Sequence, residues 1–252
     1  MSIPKIIHYC WFGGNPLPKS AEKCIKSWKK HCPDYEIIRW DESNFDVSRN
    51  PYCRYAYENK KWAFLTDYIR LKVVYENGGV YLDTDVELLK PIDELLKNGA
   101  YMGLQNDTEV NTGLGFAAEK GHPFIGENMR YYENLTDFEN LRSCPLITTE
   151  LLAEYGFKEN DGTVQHIAQI NIYPPEYLSP KDERTGLTKK TKNTFSVHHF
   201  DASWFEKSWK DGQKKRWRNE KIRYIVHFPN RLLMKILGDD GYSKLKKALK
   251  RG

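Results

Sequence analysis

No apolar run in the sequence approaches the roughly 18 residues needed to cross a bilayer. The opening "MSIPKIIHYCWFGG" holds too short and too aromatic an apolar stretch for a secretory signal. A cytoplasmic protein is therefore expected, at most peripheral on the inner face of the cell membrane. Cysteine is sparse: Cys10, Cys24, Cys32, Cys53 and Cys144 form an odd set without a Cys-x-x-Cys pair. That pattern argues against a disulfide framework and a zinc knuckle, and leaves reduced packing residues. Internal repeats and low-complexity segments are also missing. So is a general basic surface, although the net charge is +5. From Phe205 to Gly252 there are 15 Lys/Arg against 5 Asp/Glu, and in the rest 24 against 29. The excess positive charge belongs to the tail, and no nucleic-acid partner is expected for the main body.

What is present suffices for a large core: 252 residues, 40% hydrophobic and 13% aromatic. "PKIIHYCWFGG" reads as a buried strand entering a glycine turn, Ala21 to His31 as a helix, and Tyr35 to Trp40 as a second strand. In "KKWAFLTDYIRLKVVYENGG", Trp62, Leu65, Ile69 and Val73 recur at helical spacing, and Gly78 sits where a helix-ending glycine belongs. Strands follow over Gly79 to Val86 and Tyr101 to Gln105, then a helix from Pro123 to Glu133. The alternation predicts an α/β fold, a mixed, mainly parallel sheet with helices on both faces. The charged run Ser179 to Asn193 reads as a mobile loop. Residues 1–204 are expected to form the main domain, and 205–252 a basic, amphipathic helical extension.

The stretch "GGVYLDTDVE" sets Asp83 and Asp85 directly after Val80, Tyr81 and Leu82. In an extended strand, residues two apart face the same side, so the two carboxylates would converge at the strand's carboxyl end. Hard oxygen ligands at that spacing suit Mg²⁺ or Mn²⁺, and that edge is where open α/β sheets bind ligands. Turn capping or a solvated edge is the other reading of an Asp-x-Asp alone. Asp67 and Arg70, three apart on the preceding helix, share a face and could equally form a surface ion bridge.

The ordered stretch "AFLTDYIRLKVVYENGGVYLDTDVE", with "IIHYCWFGG" before it and "HHFDASW" after, resembles the DXD-containing sugar-nucleotide transferases of glycosyltransferase family 32. That family includes yeast-type initiating mannosyltransferases, bacterial capsule and lipopolysaccharide enzymes, and relatives of the clostridial glucosylating toxins. The resemblance implies a GT-A fold, a nucleotide-sugar donor, a Mn²⁺ or Mg²⁺ cofactor, and transfer with retention at the anomeric carbon. It places Trp11 on the donor base, Asp67 and Arg70 on sugar hydroxyls and phosphate, and Asp83 and Asp85 on the metal. His199 is the expected further metal ligand, in place of the carboxylate of the toxin branch. Trp204 is expected to donate its indole N–H to the leaving phosphate, with Ser203 beside it in the donor set. Asn106 and Asn111 fall on the acceptor side. Asp67, Arg70, Asp85 and Trp204 form the expected catalytic group.

The expected reaction moves a hexose from a nucleotide sugar to a glycan acceptor, for capsule or lipopolysaccharide synthesis. Uridine is the preferred base, with galactose or an N-acetylhexosamine as the sugar. In the tail, Ile222, Tyr224, Phe228, Leu232, Leu233, Ile236 and Leu237 alternate with Lys/Arg clusters. Such a segment suits an anionic membrane face beside a polyprenol-linked acceptor, or packing on the catalytic domain. Two other function classes stand beside transfer: a non-catalytic sugar-nucleotide or glycan-binding module, and a haloacid-dehalogenase-like phosphohydrolase. The second expects its Asp-x-Asp on the first strand, whereas here 82 residues precede the pair.

Overall fold

A computed structural model describes residues 2–201, 207–226 and 235–238 of the chain. The chain divides into two compact units: Met1–Lys181 with Thr188–Trp204, and Asp182–Leu187 with Phe205–Gly252.

The first unit is built on a seven-stranded sheet in the order β2-β1-β3-β6-β5-β8-β7. Its strands are β1 (Ile6–Cys10), β2 (Glu36–Trp40), β3 (Gly79–Tyr81), β5 (Tyr101–Gly103), β6 (Phe116–Ala118), β7 (Gln165–Ile167) and β8 (Ile170–Tyr173). β1 pairs in parallel with β2 and β3, as β5 does with β8. β6 runs antiparallel to both β3 and β5, and β7 to β8. The sheet is the mixed α/β arrangement expected, with its parallel pairing concentrated around β1.

Strand alternation divides the core in two. Ile7, Tyr9, Val80, Tyr101 and Ala117 enter one apolar cluster. Cys10, Tyr81, Met102, Phe116 and Ala118 enter the other. α1 (Lys19–His31) supplies Cys24 and Trp28 to the first cluster, and the short α4 (Asp93–Leu96) and α7 (Pro175–Leu178) add Leu95 and Leu178. α2 (Pro51–Glu58), α3 (Trp62–Asn77), α5 (Pro123–Glu133) and α6 (Cys144–Glu154) pack into the second. Helices therefore cover both faces, and all five cysteines are free and buried.

α3 buries Leu65, Tyr68, Ile69, Leu71, Val73 and Val74 on several sides, so it is a core helix rather than an amphipathic one. It ends at Gly78, whose φ of +70° suits a residue without a Cβ. At Gly79, φ +108°, a Cβ would stand 2.8 Å from the Ile6 carbonyl oxygen. The glycine pair thus lets the chain turn from helix into β3 against β1.

One expected element needs correction. Gly79 to Val86 is not a continuous strand: β3 stops at Tyr81, and β4 (Val86–Leu88) belongs to a separate ribbon with β9 (Ser196–His198). A turn joins them, closed by the Val86 N–H donating to the Asp83 carbonyl at 3.0 Å. The run Ser179 to Asn193 is also more structured than a featureless loop, with a bridge between Lys181 and Thr188.

In the second unit, α8 (Lys207–Val226) is joined by the 182–187 loop. The Trp217 indole donates to the Glu183 carbonyl at 2.8 Å, and the missing Cβ of Gly186 gives the Trp217 ring its seat. Among the described residues no helix is long and apolar enough to cross a membrane. Ser203, Trp204, Phe228, Leu232 and Leu233 lie outside the described residues.

Candidate functional site

Asp83 and Asp85 converge through the turn between β3 and β4, not through strand parity. The β4–β9 ribbon then brings a third group to them. Its register sets Val86 opposite His198, and His198 Nε2 lies 3.1 Å from Asp85 Oδ1. One ligand atom each from Asp83, Asp85 and His198 fall within 4.8 Å of one another. Two carboxylates and an imidazole at such range fit a divalent cation, Mn²⁺ more readily than Mg²⁺ because of the nitrogen.

This corrects the expected ligand His199. Neighbouring residues of an extended chain face opposite ways, and His199 turns to Glu87, Nε2 to Oε2 2.9 Å, with Lys23 Nζ 3.8 Å from Oε1. Its backbone N–H still donates to the Asp85 carbonyl at 3.0 Å, and the Asp201 N–H donates to Asp85 Oδ2 at 2.9 Å. Burial works to raise the Asp85 carboxyl, but the His198 charge and hydrogen bond and the Asp201 amide outweigh it and hold it at about 2. Asp85 is thus an anion ready for a cation.

Behind Asp83 sits a buried ion triad. Arg70 Nη2 lies 3.3 Å from Asp67 Oδ1 and 3.2 Å from Asp83 Oδ1. The same nitrogen reaches Thr66 Oγ1, Nε donates to the Thr66 carbonyl, and Nη1 points to Thr112 Oγ1 and Cys144 Sγ. The guanidinium also lies over the Tyr81 ring, 5.1 Å from its centroid, and the Tyr81 hydroxyl donates to Asp83 Oδ1 at 2.8 Å. With its donors directed into the protein and 4% exposure, Arg70 here fixes two carboxylates. Burial raises Asp67 to about 6 against the opposing pull of Arg70 and a hydrogen bond from Cys144. Burial likewise raises Asp83, again opposed by Arg70.

The other expected residues are placed unevenly. Asn111 joins the cluster: its Oδ1 accepts from the Gly113 N–H at 2.6 Å and from the Cys144 thiol at 3.6 Å. Asn106 instead closes its own turn, its Oδ1 accepting from the N–H groups of Thr108 and Glu109. Trp11, just past β1, is half-buried and donates its indole N–H to the Asn15 carbonyl at 2.7 Å. Ser203 and Trp204 fall in the segment that is not described.

Four contributors were not read from the sequence: His198, Tyr81, Cys144 and Gly113. A Cβ at Gly113 would stand 2.4 Å from Asp83 Oδ2 and 3.0 Å from Asn111 Oδ1, so the backbone there must be bare. The glycines of "TGLG" were the available signal. Support also comes from α1, where the Trp28 indole donates to the Val86 carbonyl at 2.7 Å and Ser27 Oγ accepts from the Leu88 N–H at 2.9 Å. α1 thus holds the ribbon along β4.

A helix-covered mixed sheet with an Asp-x-Asp turn just beyond β3 is the arrangement implied by the resemblance to GT-A nucleotide-sugar transferases. Comparison with known proteins agrees: residues 18–102 match the family described as "Glycosyltransferase sugar-binding region containing DXD motif". In that region the chain is similar to DXD-containing glycosyltransferases. It is 34% identical over 152 residues to inositol phosphoceramide mannosyltransferase 3 of Schizosaccharomyces pombe, covering 58% of this chain and 41% of that protein. It is 28% identical over 131 residues to the initiation-specific alpha-1,6-mannosyltransferase of Candida albicans, covering 48% and 34%. Subversion of eukaryotic traffic protein A of Legionella pneumophila is 23% identical over 236 residues, covering 78% and 34%. The chain thus spans less than half the length of these relatives. Among solved structures, PaToxG glycosyltransferase has a TM-score of 0.46 at 20% identity, covering 60% of this chain and 68% of that one.

Proposed function

We propose that the protein is a metal-assisted retaining glycosyltransferase that moves a hexose from a nucleotide sugar to a glycan acceptor. The observation that carries this reading is the Asp83–Asp85–His198 set beyond β3, backed by the buried Arg70 triad. A Mn²⁺ or Mg²⁺ ion bound by that set would supply positive charge to the diphosphate that departs.

The chain's own residues do the rest. Asp83 is aimed by Tyr81 and Arg70, Asp85 is held as the anion by His198 and the Asp201 amide, and His198 completes the set. Asp67 accepts from sugar hydroxyls, which a fixed carboxylate can do in pairs. Trp11 stacks on the base, preferably uridine. Asn111, and Asn106 farther out, face the acceptor. Trp204 donates to the leaving phosphate, with Ser203 beside it; each such preorganised donor contributes a few kcal/mol in a water-poor site. Retention needs no protein nucleophile if the acceptor hydroxyl attacks from the departing face and passes its proton to the leaving phosphate oxygen. A polyprenol-linked glycan acceptor at the inner face of the membrane, within capsule or lipopolysaccharide synthesis, completes the reading.

The relatives named above as mannosyltransferases put mannose beside galactose and N-acetylhexosamines among donor sugars to try. The test is release of nucleoside diphosphate from a panel of UDP- and GDP-sugars with Mn²⁺. Release from one donor, lost in Asp85→Asn with unchanged circular dichroism, supports transfer. Inorganic phosphate alone would point to a phosphohydrolase, and donor binding without turnover to a binding module.

A further inference from the structure

Large apolar side chains are exposed unevenly between the two units. Among the described residues the first unit exposes Leu146, Tyr155 and Val164. The much shorter second unit exposes Ile222, Tyr224, Ile225, Val226, Ile236 and Leu237. Single exposed apolar residues are ordinary on a protein surface, but a concentration of them is not.

In α8, Ile222, Ile225 and Val226 stand three and four residues apart, so they share one side of the helix. They are 53%, 69% and 63% exposed, respectively. At the helical rotation of about 100° per residue, Lys214, Lys215, Arg218 and Lys221 lie on that same side, one to three turns earlier. All four are exposed. The apolar residues thus occupy the final turn of the helix, below a band of cations. The remaining sequence to Gly252 continues the cationic composition.

We infer that this side of α8 is a docking surface for an anionic lipid bilayer. Ile222, Ile225 and Val226 enter the boundary between headgroups and acyl chains, and Lys214, Lys215, Arg218 and Lys221 meet the lipid phosphates. A bilayer interface satisfies both halves of the surface, since it offers anionic charge directly above an apolar phase. A nucleic acid would pair with the cations but would leave three branched aliphatic side chains in water, where aromatic platforms would be the useful residues. The surface acts by adsorption, without spanning. It goes beyond the transfer reading and does not depend on it.

The test is co-sedimentation of the full chain with phosphatidylcholine vesicles, with or without phosphatidylglycerol, at low and high salt. Binding is expected only to the phosphatidylglycerol vesicles and falls as salt rises. The double variant Ile222→Ser/Ile225→Ser should lower the bound fraction at least about tenfold, the scale of losing buried aliphatic area. The triple variant Lys214→Glu/Lys215→Glu/Arg218→Glu should abolish binding. Both alter exposed positions and should melt at the parent temperature. Asp85→Asn should sediment as the parent does, which separates this surface from the transfer chemistry. Equal sedimentation with both vesicle types, no sedimentation, binding that both surface variants retain, or retention on duplex DNA in place of vesicles overturns the inference.

Discussion

At Asp67, burial lifts the carboxyl to about 6 although Arg70 stands beside it. A folded-state value above the ordinary one means that ionising Asp67 costs stability above about pH 6, a cost relieved as pH falls towards 4. The proposed role runs the other way, because accepting from sugar hydroxyls would need the anion. The donor's kcat/KM should therefore rise through about pH 6 and level above it. Asp67→Asn should be slower and lack that limb; a parent profile flat through this range would remove Asp67 from donor binding. Gly113 offers a steric test next door. Gly113→Ala puts a methyl on Asp83 Oδ2, so the aspartate must swing away, and activity should fall about 10- to 100-fold, the scale of a misplaced reacting group, while far-UV circular dichroism is unchanged. At this scale the sequence displayed the chemistry of the carboxylates clearly. It did not separate His198 from His199, since two adjacent histidines offer identical donors and only the pairing of β9 decides which faces Asp85.

The elements show the same division. α3 and α5 were legible because long helices repeat their apolar spacing several times, and α5 begins and ends where expected, Pro123–Glu133. The break between β3 and β4 was not. Three-residue strands carry hardly one period, and the turn at Asp83 is fixed by partners more than a hundred positions away, in β9. Arg70's inward donors were equally hidden, because Thr112 and Cys144 come from distant segments. The ribbon itself predicts an effect of Trp28, whose indole holds the Val86 carbonyl. Trp28→Phe leaves that buried carbonyl unpaired, which should lower stability by about 1–3 kcal/mol, read from the urea midpoint. It should also weaken Mn²⁺ binding by calorimetry, because the turn bearing Asp85 loses an anchor. Loss of stability with unchanged metal affinity would make Trp28 a packing residue only.

For the whole molecule, the candidate metal set and the ion triad are linked, and ligand binding should therefore report on the fold. Asp83 faces both: its Oδ1 is held by Arg70 and Tyr81, and it offers a ligand atom within 4.8 Å of those of Asp85 and His198. A ligand that binds only the folded chain stabilises it by about 2.7 kcal/mol at a hundred times its dissociation constant. For a protein of this size, that corresponds to a melting temperature higher by roughly 5–10 °C. Mn²⁺ together with the accepted nucleoside diphosphate should produce such a shift, larger than the sum of the two added singly, because the diphosphate supplies ligands that the protein set leaves open. A chelator should return the melt to that of the apoprotein and stop turnover. Asp85→Asn should melt below the parent without additives, because the fold favours the anion that the substitution removes, and it should show no joint shift. If nucleotide alone gave the full shift and the chelator changed nothing, the three side chains would hold one another and no cation, and catalysis would have to rest on hydrogen-bond donors alone.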